Sequence, residues 1–131
     1  MRRSYFVLSL GIIAFGIIHI AATPRYFTHL TSAAVWFTSG GLVLILTGAL
    51  NLLRRAYGEV APGLRVACVA ANVVMTSFAI VAGYANRASA LEFMLVLGLT
   101  VGATLFSLLP AAQRPARSAP SLEDVSAGLR L

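Results

Sequence analysis

His19 and Glu92 are ionisable side chains set within long apolar runs of the sequence. An imidazole titrates near neutral pH, and a carboxylate beside it can share a proton, help hold a cation, or bind the polar head of a ligand. Each residue lies roughly one helical turn from the end of its run. If the runs are helices that cross a bilayer, the two share a depth just under one surface. Trp36 and Tyr84 belong to the same layer, and His29 and Arg25 sit in the break above it. Ionisable groups inside a membrane span are costly and tend to mark a pathway or a paired site. A structural account also exists. Near the interface the cost is low, an acid in a first helical turn complements the helix dipole, and a histidine can bond a backbone carbonyl.

A second set of polar residues lies deeper. On the second run Trp36, Gly40, Leu44, Thr47, Gly48 and Asn51 recur at spacings of three and four. On the third, Cys68, Asn72, Thr76, Ala79 and Gly83 do the same. Helices in lipid meet through small residues and occasional polar ones, so these stripes are expected to face other helices. Leu42, Leu46, Ala49 and Leu53, and likewise Val66, Val74, Phe78 and Val81, should face lipid. Asn72 falls near mid-membrane and Asn51 nearer one end, which would allow a polar route to continue inward from His19 and Glu92. Gly98-Leu99-Thr100-Val101-Gly102 is a small-residue pair that could receive a partner helix or serve packing within one bundle.

Sharper chemistries find no support in the residues. There is no HExxH, GxSxG, P-loop or CxxC pattern, which weighs against an enzyme. The single cysteine, Cys68, rules out an intramolecular disulfide and behaves by default as a small apolar residue. A bis-histidine haem needs two embedded ligands, and His29 is a loop residue. No metal or cofactor is expected. Small multidrug exporters share the four-run size but carry their functional glutamate in the first helix, where this chain has no acid.

The elements that must position these residues dominate the chain. Of 131 residues, 59% are hydrophobic and 11% charged, against roughly 45–50% and 25% in a soluble domain. The runs 4–22, 33–53, 61–84 and 88–110 each approach the ~20 residues that cross ~30 Å of hydrocarbon. The net charge is +6, carried by arginines with no lysine. They cluster at helix ends, which is a topology signal rather than a nucleic-acid surface. Arg2, Arg3, Arg54, Arg55, Arg65, Arg114, Arg117 and Arg130 fall on one side and Arg25 and Arg87 on the other. Both termini are therefore expected in the cytoplasm. The run after Met1-Arg2-Arg3 is too long for a signal core and is read as a retained helix. Thr23-Pro24 is expected to end the first helix, Thr31 or Ser32 to cap the second, Pro62 to open the third and Pro110 to stop the fourth.

The sequence thus describes an all-α, integral membrane, antiparallel four-helix bundle over 1–110, with a mostly disordered cytoplasmic tail over 111–131. Compactness and an Arg/Ala-rich composition favour a bacterial inner membrane. Its partners are the lipid bilayer and either further copies or a larger membrane complex, not nucleic acid. Two functions fit: a non-enzymatic accessory subunit or scaffold, or a small oligomeric transporter or channel using the His19/Glu92 layer.

Overall fold

A computed structural model describes residues 2–85 and 90–109. The described chain is four helices: α1 Arg2–Tyr26, α2 Ser32–Tyr57, α3 Pro62–Ala85 and α4 Ala90–Leu108. All four are long and apolar enough to span a membrane. At ~1.5 Å per residue they measure about 28–39 Å. Their outward surface is apolar: Val7, Ile18, Leu46, Val66, Val74, Val81 and Leu91 are among many exposed large hydrophobic residues. In water such a surface would aggregate; in a bilayer it meets lipid tails.

Helix ends follow local chemistry. The Thr31 side chain accepts a bond from the Ala34 amide at 3.2 Å and caps α2. Gly58 closes α2 in ordinary right-handed geometry at φ −64°, its amide bonded to the Arg54 carbonyl. Pro62 opens α3, where its missing N–H costs nothing. Two expectations need correcting. Pro24 does not end α1, which continues to Tyr26. An internal proline costs about 3 kcal/mol, but here it lies in the last turn. The contacts of Thr23 with Thr38 and of Tyr26 and Phe27 with Phe37 hold that turn against α2. The second helix, expected to end at Leu53, continues through Arg54 and Arg55 to Tyr57. The expected tail over 111–131, the Pro110 stop and the start of the fourth run at Ala88 lie outside the described residues.

The closest seam joins α1 and α2. Small residues recur every seventh position on both: Ser9, Gly16 and Thr23 on α1; Ala34, Gly41 and Gly48 on α2. Residue numbers rise along one helix as they fall along the other, with Ser9 beside Gly48, Gly16 beside Gly41 and Thr23 beside Thr38. A Cβ on Gly16 would stand 2.7 Å from the Gly41 carbonyl oxygen. One on Gly41 would stand 2.8 Å from the Gly16 oxygen. Two backbones can approach this closely only without side chains, which is the basis of small-residue packing in membranes.

The same opposed order holds between α3 and α4, where Thr76 meets Thr104 and the Phe93 ring lies on Gly83. It holds again between α1 and α4, where Gly11 meets Leu99 and Gly102 meets Leu8. Each helix gives one residue to a central apolar layer of Ile12, Leu44, Met75 and Ala103, flanked by Phe15 and Leu99. The Gly98/Gly102 pair is split between environments. Gly102 packs on α1, whereas a Cβ on Gly98 would meet nothing within 4 Å.

Candidate functional site

The densest chemistry lies seven positions from the apolar layer along α1 and α2, toward the α1 N-terminus. Tyr5, Ser9, Asn51, Arg54, Cys68 and Asn72 are all buried there. Helical spacing accounts for the convergence. Tyr5, Ser9 and Ile12 share a face of α1; Thr47, Asn51 and Arg54 share a face of α2; Cys68 and Asn72 are one turn apart on α3.

Asn51 is the centre. Its Nδ2 donates to the Thr47 carbonyl at 2.9 Å and to Asn72 Oδ1 at 2.9 Å. Its Oδ1 receives Asn72 Nδ2 at 2.8 Å, the Tyr5 hydroxyl at 2.5 Å and the Cys68 thiol at 3.0 Å. The two amides therefore form a reciprocal pair, and three donors converge on one carbonyl oxygen. Both hydrogens of the Asn51 amide are used, so its desolvation is well compensated. Asn72 and Asn51 meet at one level, which corrects the expectation of two steps at different depths.

Arg54 completes the cluster and brings in the fourth helix. Its Nη1 reaches the Tyr5 hydroxyl at 3.4 Å and the Phe106 carbonyl of α4 at 3.5 Å. The guanidinium carbon stands 5.7 Å from the Tyr5 ring centroid. Arg54 is 0% exposed, and its Nε and Nη2 have no hydrogen-bond partner among the described residues.

On the other side of the apolar layer, His19 is half-buried on α1. Its ring stacks on Phe37 at 3.9 Å and contacts Phe15, with Gly40 giving it room against α2. The Glu92 carboxylate, at the start of α4, lies within electrostatic range of this ring. Trp36 and Tyr84 are 78% and 89% exposed and make no ring contact with His19 among the described residues. The inward placement expected for Trp36 is thus corrected. Ala34 and Gly41 take the α1-facing positions, and Trp36 stands at the lip of a groove between α2 and α3. That groove encloses about 360 Å³ and is lined by apolar groups from Gly40 and Val43 to Val74 and Phe78.

Most hydroxyls in the bundle are spent locally. Thr47, Thr76, Thr100 and Thr104 bond carbonyls of their own helices, while Thr76 and Thr104 also bond each other at 3.0 Å. Among the described residues no group of three or more His, Cys, Asp or Glu could hold a metal ion. Sequence reasoning overlooked Tyr5 and Arg54. The signal for Arg54 was present, since it lies three residues after Asn51 and seven after Thr47, on the same face of α2. No family model, curated protein or solved structure matches this chain.

Proposed function

We propose that this is a non-enzymatic multi-pass protein of a bacterial inner membrane, acting as an accessory subunit or scaffold. In this reading it is an antiparallel bundle with both termini cytoplasmic, oriented by its arginines. The observation that carries the functional choice is the apolar layer of Ile12, Leu44, Met75 and Ala103 between the two polar regions. A transporter needs polar groups in sequence across the membrane. Here the amides of Asn51 and Asn72 bond each other on one side of that layer, and His19 stacks on an aromatic ring on the other. Such local closure favours a fixed shape offered to partners over a passage for solute.

Reconstitution of the full chain into liposomes tests the choice. Proton or monovalent-cation flux, read with an internal dye, should equal that of empty vesicles. In native gels from gently solubilised membranes the chain should migrate in an assembly larger than the purified protein forms alone. Sustained flux that Glu92→Gln abolishes would overturn the scaffold reading and favour the transporter alternative.

A further inference from the structure

The groove between α2 and α3 opens on the outer surface of the bundle, and its walls decide what can enter. It begins at Trp36, which is 78% exposed at the lip, and ends at Thr47 and Ala71, beside the joined amides of Asn51 and Asn72. Val43, Met75 and Phe78 line it between. The hydroxyl hydrogens in the wall are spent. Ser39 donates to the Trp36 carbonyl at 2.9 Å and Thr47 to the Val43 carbonyl at 2.8 Å. The groove therefore suits hydrocarbon rather than a polar group.

Size selects among apolar occupants. The eleven residues from Trp36 to Thr47 span about 16.5 Å of helix. Spread over that length, the enclosed 360 Å³ gives a section of about 22 Å². A helix ~10–12 Å across needs about four times that section, so a helix of a second copy does not seat here. A single hydrocarbon chain does. At ~30 Å³ per methylene, the share of a water molecule in its liquid, 360 Å³ takes about twelve carbons. An empty groove forfeits dispersion contacts along both walls, and in a bilayer the medium at hand is acyl chain.

Trp36 sets the direction. It lies four residues after the start of α2 at Ser32, about 6 Å along the axis, at the level where indole rings settle between water and hydrocarbon. The polar head of an occupant belongs there, with its chain running inward to Met75 and Thr47.

We propose that the α2–α3 groove binds one acyl chain of a phospholipid, taken from the leaflet at the Trp36 end and held with its glycerol near the indole. The site rests on the membrane bundle and not on the accessory role, so a positive flux assay would leave it standing.

The test uses the full chain reconstituted in bilayers that contain phosphatidylcholine with a photoactivatable diazirine on one chain. After illumination, the adducts are mapped by peptide mass spectrometry. A diazirine at about carbon twelve should mark Thr47 and Met75, which are 6% and 5% exposed and lie beyond the reach of lipid that only surrounds the bundle. A diazirine next to the ester should mark Trp36 and Ser39 instead. Ala71→Phe fills the inner end of the groove and should abolish the Thr47 and Met75 adducts. Ala70→Phe, one position away on an exposed face that does not line the groove, should leave them intact. If Ala71→Phe does not fold, the order of wild-type adducts along the groove decides. Adducts confined to outward residues such as Leu46, Val66 and Val81, a reversed order, or equal labelling in the two phenylalanine variants would each overturn the proposal. So would ready disulfide-linked dimers of a Cys68→Ala, Val43→Cys chain, which would put a second copy in the groove.

Discussion

Gly41→Ala should destabilise the bundle, whereas Gly98→Ala should not, although both replace a helical glycine with the same methyl group. At Gly41 the new Cβ would stand 2.6 Å from Ile20 Cγ1 and 2.8 Å from the Gly16 carbonyl oxygen, inside the 3.0 Å that real Cβ atoms respect. Ile20 can rotate away, but the carbonyl belongs to the α1 backbone, so the helices must part by a few tenths of an ångström. Overpacking of this kind costs about 1–3 kcal/mol. Alanine recovers up to about 1 kcal/mol through its better helix propensity. The net expectation for Gly41→Ala is a loss of roughly 1–2 kcal/mol. At Gly98 nothing lies within 4 Å of the added carbon, so only the propensity gain remains, and stability should hold or rise by up to about 1 kcal/mol. Reversible unfolding of the purified chain in mixed detergent micelles, followed by helical signal, measures both. Equal effects at the two sites, or a neutral Gly41→Ala, would refute the backbone-to-backbone seam.

Asn72→Leu should cost about 1–3 kcal/mol, because it removes a bonded partner of a buried amide, while Val74→Leu on the exposed face should change stability by less than about 0.5 kcal/mol; a double-mutant cycle of Asn72 with Asn51 should give a coupling of at least about 0.5 kcal/mol. Cys68 is buried and should resist a maleimide in the folded state, reacting fully in SDS. Single cysteines introduced at positions 29 and 58 of a Cys68→Ala chain should then label from opposite sides of the membrane, position 29 outside and position 58 inside.

The helices and most of their faces were legible in the sequence because lipid imposes a simple rule. Small and polar residues at spacings of three and four turn inward, and Leu42, Leu46, Val66 and Val74 turn out. Asn51, Asn72 and Ala79 followed that rule and are buried. Trp36 broke it, since a large amphipathic ring near a helix end gains as much from the interface as from the interior. Arg54 was hidden by its own type. An arginine at a helix end is usually an orientation signal, and only its register with Asn51 marks it as interior. The α1 face built on Tyr5 and Ser9 was harder to read because α1 is apolar almost all round, so no contrast in polarity betrays which side is buried. Pro24 misled for a local reason: its preference speaks to isolated chains, and the aromatic contacts around Phe37 outweigh it.

The buried cluster draws on every helix. Tyr5 comes from α1, Asn51 and Arg54 from α2, Cys68 and Asn72 from α3, and the last carbonyl, that of Phe106, from α4. During synthesis the first three helices are finished long before that carbonyl exists. Until residue 106 is made, Arg54 sits in a partial bundle with one fewer acceptor for its charge. A chain cut short before Phe106 would leave Arg54 with the Tyr5 hydroxyl alone of its two acceptors. Closure of the cluster is therefore the last step in building the bundle, because it waits on a carbonyl near the end of α4.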